Sequence, residues 1–288
     1  MIGEISVQAF AKINIGLNVS REIKNHFHNI ESIFQKINLA DTLRIQKKNG
    51  TSTCEVFCDV ENLPRENTIV KAYNAFQKMC GFALPALAVK IEKKIPSAGG
   101  LGGGSSDAAS FVFALEKIAN YKLSFAEKNE IASTVGSDVF FFLLSENANV
   151  ALVSGRGEKI EVLDERRDLF FVLIFPKTKC ATKKSYALLD EWFLKNESEK
   201  KLSLSEMRDM YFSPIENWKF KNDFTKVLIQ EYREIANALF ALKKNGAIFA
   251  DVSGSGSTVY GIFLSKENAK SAFEKLQQEW NCYCAMSN

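Results

Sequence analysis

Residues 96–109 read P-S-A-G-G-L-G-G-G-S-S-D-A-A, and five of the chain's 16 glycines fall between positions 99 and 104. Glycines and small hydroxyls let backbone N–H groups converge on an anion. The flanks complete such a site. Before the run, Leu87, Val89 and Ile91 alternate with Ala88, Lys90 and Glu92, which predicts a half-buried strand. After it, Ala108, Ala109, Val112, Leu115, Ile118 and Ala119 recur at helical spacing. A strand, a glycine loop and a helix start aim amides and a helix dipole at negative charge. A flexible linker has a similar composition, but linkers are rarely followed at once by an apolar helix. No lysine follows the last glycine as in a Walker A loop, and no G-x-G-x-x-G frame fits. The run reads as a phosphate cradle of another grammar.

Two further places carry chemically capable side chains. In A-F-A-K-I-N-I-G-L (residues 9–17), Lys12 and Asn14 share one face of an extended strand whose apolar residues are Phe10, Ile13, Ile15 and Leu17. A solvated strand face would look the same. Asp138 stands in V-G-S-D-V-F-F-F-L-L, immediately before six apolar residues. Either Ser137 or Asp138 suits the cap of a helix starting there. A carboxylate fixed at a helix start is also well placed to accept a proton.

The elements that must position these groups follow from periodicity. Strands are predicted at 5–10, 13–19, 42–46, 87–91, 150–153, 170–174 and 259–263. Helices are predicted at 69–80, 108–120, 124–134, 185–194, 224–243 and 267–279. The mixture predicts an α+β protein in two layers. The charged stretch 164–168 (D-E-R-R-D) is the expected domain boundary, giving domains 1–164 and 165–288.

Composition narrows the partners. With 288 residues, 46% hydrophobic and 25% charged, the chain suits a globular protein with a substantial core. A net charge of +3, with basic residues in pairs rather than patches, argues against nucleic acid. No basic, apolar leader opens the chain, and its longest apolar stretches fall short of the roughly 20 residues of a membrane span. The expectation is a cytoplasmic protein with a small-molecule substrate and no nucleic acid or membrane partner, monomeric or homodimeric. Six cysteines and two histidines, His26 and His28, show no usual zinc spacing. Reduced cysteines packed as small hydrophobes are the expectation.

The loop wording P-x-x-x-G-L-G-x-G-S-S-x-A-A resembles the phosphate loop of the GHMP small-molecule kinases. A-K-I-N (residues 11–14) is similar to that family's first motif, and G-S-D-V-F-F (residues 136–141) to its G-A-D-V-P-F, with Phe140 in place of proline. D-V-S-G-S-G-S-T-V-Y (residues 251–260) resembles its third motif. The resemblance implies an α+β, two-domain GHMP kinase fold, with an N-terminal domain like domain 2 of ribosomal protein S5 and a ferredoxin-like C-terminal domain. It also implies an ATP-dependent kinase acting on an alcohol, with ATP and Mg2+ as cofactors. Asp138 would then be the catalytic base, and Lys12 would place and polarise the acceptor hydroxyl.

The remaining roles also follow from the resemblance. ATP would be held by Asn67, Lys94, Pro96, Ala98, Gly99, Gly100, Leu101, Gly102, Gly103, Gly104, Ser105 and Ser106. The hydroxyl of Ser105 or Ser106 would meet the metal. Asn14, Gly254 and Gly256 would bind the acceptor. N-H-F-H-N-I-E-S (residues 25–32) resembles D-G-Y-H-x-L-x-T of the branch whose acceptor is a cytidine diphosphate-linked polyol. Phe27 and His28 would hold the base, with Asn25 and His26 replacing the usual Asp-Gly. Thr182 and Tyr186 fall on a second substrate segment, and Tyr186 would face Phe27 across the base. Homoserine and mevalonate kinases, the alternative readings, lack a base-binding segment. A non-catalytic nucleotide-binding relative would be expected to lack Lys12 or Asp138, and both are present.

Overall fold

The computed structural model describes residues 4–24, 27–144, 148–197 and 199–287. The departures at Asn25 and His26 lie outside the described residues. The chain forms two compact units. The first comprises Met1–Ala11, Leu39–Ser97 and Gly102–Asn147, and the second Lys12–Asn38, Ala98–Leu101 and Ala148–Asn288. The charged stretch 164–168 lies within the second unit.

Two long strands open the chain, β1 (Ile5–Lys24) and β2 (Phe27–Thr51). In the first unit the distal half of β2 pairs antiparallel with β4 (Pro85–Glu92), matching Leu43 with Ile91 and Ile45 with Val89. β3 (Cys54–Cys58) lies parallel to β4 on its other edge. Leu87, Val89 and Ile91 are buried while Lys90 is exposed, so the period of two noted in the sequence is a real in–out alternation. Among the described residues four helices complete the unit: α1 (Thr68–Cys80), α2 (Gly103–Ala119), α3 (Phe125–Val135) and α4 (Ser137–Leu144). Its core gathers Tyr73, Phe76, Phe111, Leu115, Val139 and Phe141, each fully or almost fully buried. Removing one such ring costs about 3–5 kcal/mol. A capping box between Ser124 and Glu127 starts α3.

In the second unit the proximal half of β2 pairs antiparallel with β5 (Val150–Gly155), which pairs in turn with β6 (Lys159–Val162). A separate antiparallel sheet has the order β10-β7-β9-β8. Its strands are β7 (Phe170–Ile174), β8 (Phe249–Val252), β9 (Val259–Phe263) and β10 (Cys282–Met286). Helices α5 (Thr182–Lys195), α6 (Leu204–Phe212), α7 (Thr225–Glu231), α8 (Arg233–Lys244) and α9 (Lys266–Leu276) complete it. Val172, Ile174, Leu228, Ile235, Leu242, Val259 and Phe263 form its core.

The predicted helix 224–243 is two helices, broken at Tyr232, whose backbone is extended (φ −127, ψ 98). No glycine or proline marks that break. The six cysteines are free thiols, and burial pushes Cys180 and Cys282 up to about 11 and Cys54 to about 12. Among the described residues no helix is long and apolar enough to cross a membrane.

Candidate active site

The glycine run divides between the two units at the Leu101–Gly102 peptide bond. In the first unit the exit from β4 is fixed by Asp41 of β2. One carboxylate oxygen accepts the N–H groups of Lys94 (2.6 Å) and Ile95 (2.8 Å), and the other accepts Lys93 Nζ at 2.6 Å. Lys93 Nζ also reaches Asp107 of α2 at 3.0 Å. Burial alone would lower the Lys93 pKa, but the two carboxylates raise it. Burial pushes Asp107 up to about 7, against the pull of Lys93 and with a further push from Asp41. Among the described residues its buried Oδ1 has no hydrogen-bond partner.

This cluster sits under the start of α2. A side-chain carbon on Gly103 would come within 3.0 Å of Ile95 Cγ2 and 3.3 Å of Lys93 Nζ. Gly102 caps α2 in the left-handed region (φ 69), and no side chain caps that end. The amides of the first turn are therefore left to a ligand, as at other anion-binding helix starts. Asn67 is the N-cap of α1: its Oδ1 accepts from Ile69 and Val70, both at 3.1 Å. The neighbouring Thr68 Oγ1 donates to the Gly104 carbonyl at 2.7 Å, tying α1 to the loop. Ser106 is buried and Ser105 half-buried, whereas Lys94 is exposed. Asp138 occupies the first turn of α4 and is half-buried.

In the second unit the other half of the run meets the first and third motifs. Lys12 Nζ donates to Asn14 Oδ1 (2.7 Å) and to the Gly100 carbonyl (3.2 Å), and lies 4.6 Å above the Phe34 ring. Lys12 is 3% exposed and Asn14 1%, so neither belongs to a solvated strand face. Asn14 Nδ2 donates to Ser32 Oγ at 3.0 Å, and that hydroxyl donates to the Gly16 carbonyl at 2.6 Å. Ser32 thereby holds the Asn14 amide with its oxygen toward Lys12.

The Gly-Ser turn packs on the same carbonyls. Ser253 Oγ donates to Gly100 O at 2.9 Å, and Thr258 N–H to Gly99 O at 3.2 Å. Gly100 has φ +76, and a side-chain carbon there would overlap the Ser253 carbonyl. Asn222 braces the turn by donating to Val252 O (2.9 Å) and Gly254 O (2.8 Å). Beneath it, Asp251 accepts from the Asn222 and Val252 amides and is hydrogen-bonded to Thr225 Oγ1. Burial pushes Asp251 up to about 7 despite these donors. Gly256 packs against Cys180 and Leu228.

The acceptor segment departs from the expected arrangement. His28 Nδ1 lies 2.7 Å from the Ser20 carbonyl and Nε2 3.2 Å from Asp190, and its ring stacks on Tyr186 at 5.3 Å. Phe27, its neighbour on β2, is 46% exposed and carries the Arg156 guanidinium 3.9 Å above its ring. The structure thus pairs Tyr186 with His28 rather than with Phe27. Alternation along an extended strand explains the difference, since neighbours point to opposite faces. Thr182 opens α5 with its hydroxyl 3.1 Å from Ser255 Oγ, beside the Gly-Ser turn.

Sequence reasoning missed the Asp41–Lys93–Asp107 cluster, Thr68, and the bracing roles of Ser32, Asn222 and Asp251. Ser32 was within reach, because it occupies the last position of the quoted D-G-Y-H-x-L-x-T pattern. Asp107 and Asp251 also lie inside motifs matched above, and Asn222 opens an N-D-F segment that resembles the family's N-D-L/F, whereas the pairings these residues and Asp41, Lys93 and Thr68 make join positions far apart in the chain.

Comparisons with known proteins give the family. The families described as GHMP kinases N terminal domain and GHMP kinases C terminal match residues 67–146 and 202–282. A 4-diphosphocytidyl-2-C-methyl-D-erythritol kinase of Treponema pallidum (strain Nichols) is 32% identical over 286 residues, spanning 97% of each chain. One from Caldanaerobacter subterraneus subsp. tengcongensis is 36% identical over 278 residues, covering 95% of this chain and 93% of the relative. A crystal structure of 4-(cytidine 5'-diphospho)-2C-methyl-D-erythritol kinase superposes with a TM-score of 0.80 at 25% identity. It covers 99% of this chain and 100% of that one.

Proposed function

The chain belongs to the GHMP kinases, and we propose that it transfers the γ-phosphoryl group of ATP to the 2-hydroxyl of 4-diphosphocytidyl-2-C-methyl-D-erythritol, a step in making isoprenoid precursors. The observation that carries the reading is the buried Lys12–Asn14 pair, hydrogen-bonded to the Gly100 carbonyl of the glycine run. It sets a cation and an amide, suited to an alcohol, against the loop suited to a phosphate.

The acceptor hydroxyl is tertiary, because the carbon bearing it also bears the methyl group. Such a nucleophile is weak and hindered, and the transition state of phosphoryl transfer is loose. Alignment and charge stabilisation must therefore supply most of the rate. In this reading Asp138 accepts the hydroxyl proton as the new P–O bond forms. Lys12 holds the hydroxyl oxygen and offsets charge on the transferring group. Asn14, its amide fixed by Ser32, orients the polyol.

The uncapped amides at Gly103 and Gly104 take the phosphates of ATP, and Asn67 and Lys94 are assigned to its nucleoside side. Oxygen donors suit Mg2+, and the hydroxyls of Ser105 and Ser106 at the start of α2 are the residues that would touch it. When bound, the ion neutralises phosphate charge. Phe27 is assigned to the cytosine base, with His28, Thr182 and Tyr186 on the same substrate. Gly254 and Gly256 shape the turn beside the polyol.

ADP release measured with a panel of alcohols tests the reading. Turnover is expected with the cytidyl acceptor. Turnover of homoserine or mevalonate, with none of the cytidyl substrate, would overturn it.

A further inference from the structure

Arg156 projects from the tight turn Gly155-Arg156-Gly157-Glu158 that joins β5 to β6. The turn is preset. Gly155 lies in the left-handed region (φ +73), and the Glu158 carboxylate accepts the Arg156 backbone N–H at 2.6 Å. One oxygen of that acidic neighbour is thereby engaged by the backbone. Among the described residues the Arg156 side chain forms no ion pair, and it is exposed. Its guanidinium instead lies over the exposed Phe27 ring at 3.9 Å. A cation–π contact at an exposed site is weak. A fixed backbone thus presents an uncompensated, lightly held cation at the ring assigned to a base.

We propose that Arg156 is an acceptor-binding residue whose guanidinium grips the diphosphate linking the base to the polyol. The proposal rests on the reading that Phe27 stacks on that base. A base stacked on Phe27 brings its diphosphate within one side chain's length of Arg156. The planar guanidinium suits paired phosphate oxygens better than an ammonium does. The stronger charge-assisted bonds then replace the weak contact with the ring. Arg156 thereby distinguishes a nucleoside diphosphate-linked alcohol from a bare one. His28 is less suited to that task, since both its ring nitrogens are already engaged by Ser20 and Asp190.

Binding of CDP and of cytidine to the wild type, Arg156→Ala and Arg156→Lys, measured by calorimetry, tests this. Loss of a charge-assisted contact predicts CDP binding roughly 10-fold weaker or more in Arg156→Ala, with cytidine binding unchanged. Arg156→Lys should recover part of the loss by retaining charge. The KM for the cytidyl acceptor should rise with the CDP dissociation constant, while that for ATP stays constant. Equal CDP affinity in wild type and Arg156→Ala would overturn the assignment of Arg156 alone. Failure of the wild type to bind CDP and to turn over the cytidyl acceptor would instead overturn the reading of Phe27 and of the substrate.

Discussion

Lys12 and Asp138 carry the chemistry in the proposed reaction, and their surroundings differ in a useful way. Lys12 is buried and held by Asn14 and Gly100, so changing it also disturbs a hydrogen-bonded network. Asp138 is half-buried in the first turn of a helix, a position whose backbone suits alanine. Asp138→Ala removes the proposed base and so probes proton transfer directly. Turnover should fall roughly 10²-fold or more, the scale of a general base with its positioning. ATP affinity should survive, measured by calorimetry. An unchanged rate would remove Asp138 from the mechanism.

The elements explain why the glycine run works and why part of it was legible. Gly100 combines a left-handed backbone with direct packing on the Ser253 carbonyl. Gly100→Ala should force the loop off the Gly-Ser turn and raise the KM for ATP at least tenfold, a figure on the order of the 1–3 kcal/mol of backbone strain. Steady-state kinetics on the folded variant, checked by circular dichroism, would show it, and an unaltered KM would contradict this account of the turn.

Strands β4, β7 and β9 and helices α1, α3 and α5 were readable from their apolar period, and side-chain caps also mark the starts of α1 and α3. Helix α2 begins at Gly103, earlier than predicted, because glycines that read as loop continue into its first turn. Lys94, the residue assigned to the nucleotide, is exposed, and its neighbour Lys93 is the one turned inward. Its partner Asp41 lies 52 residues away, and no local pattern records that pairing. Phe27 and Tyr186 were matched as types, but strand alternation decides which faces meet.

At the scale of the molecule, two buried carboxyls set an unusual pH response. Asp107 and Asp251 hold their protons up to about 7, against an ordinary value of 3.8. Between those values the native chain binds more protons than the unfolded one, so stability falls as pH rises. In contrast, hydrogen bonds lower Glu127, Asp168 and Glu206, with Ser124, Arg166 and Ser203 as the leading partners. Their contribution is present above the ordinary carboxylate range and is lost as pH falls below it, through their lowered values. Urea unfolding should therefore show greatest stability near pH 5, declining by roughly 1–4 kcal/mol toward pH 8. A rise over that interval would mean the two carboxyls are ionised in the fold.

Stability leaves the substrate untouched, and the acceptor is the central claim. The most direct measurement is the phosphorus and carbon NMR spectrum of the product formed from ATP and 4-diphosphocytidyl-2-C-methyl-D-erythritol. A new phosphate monoester coupled to the tertiary C2 carbon is the predicted result. A phosphate on another hydroxyl, or no product from this acceptor, would contradict the account.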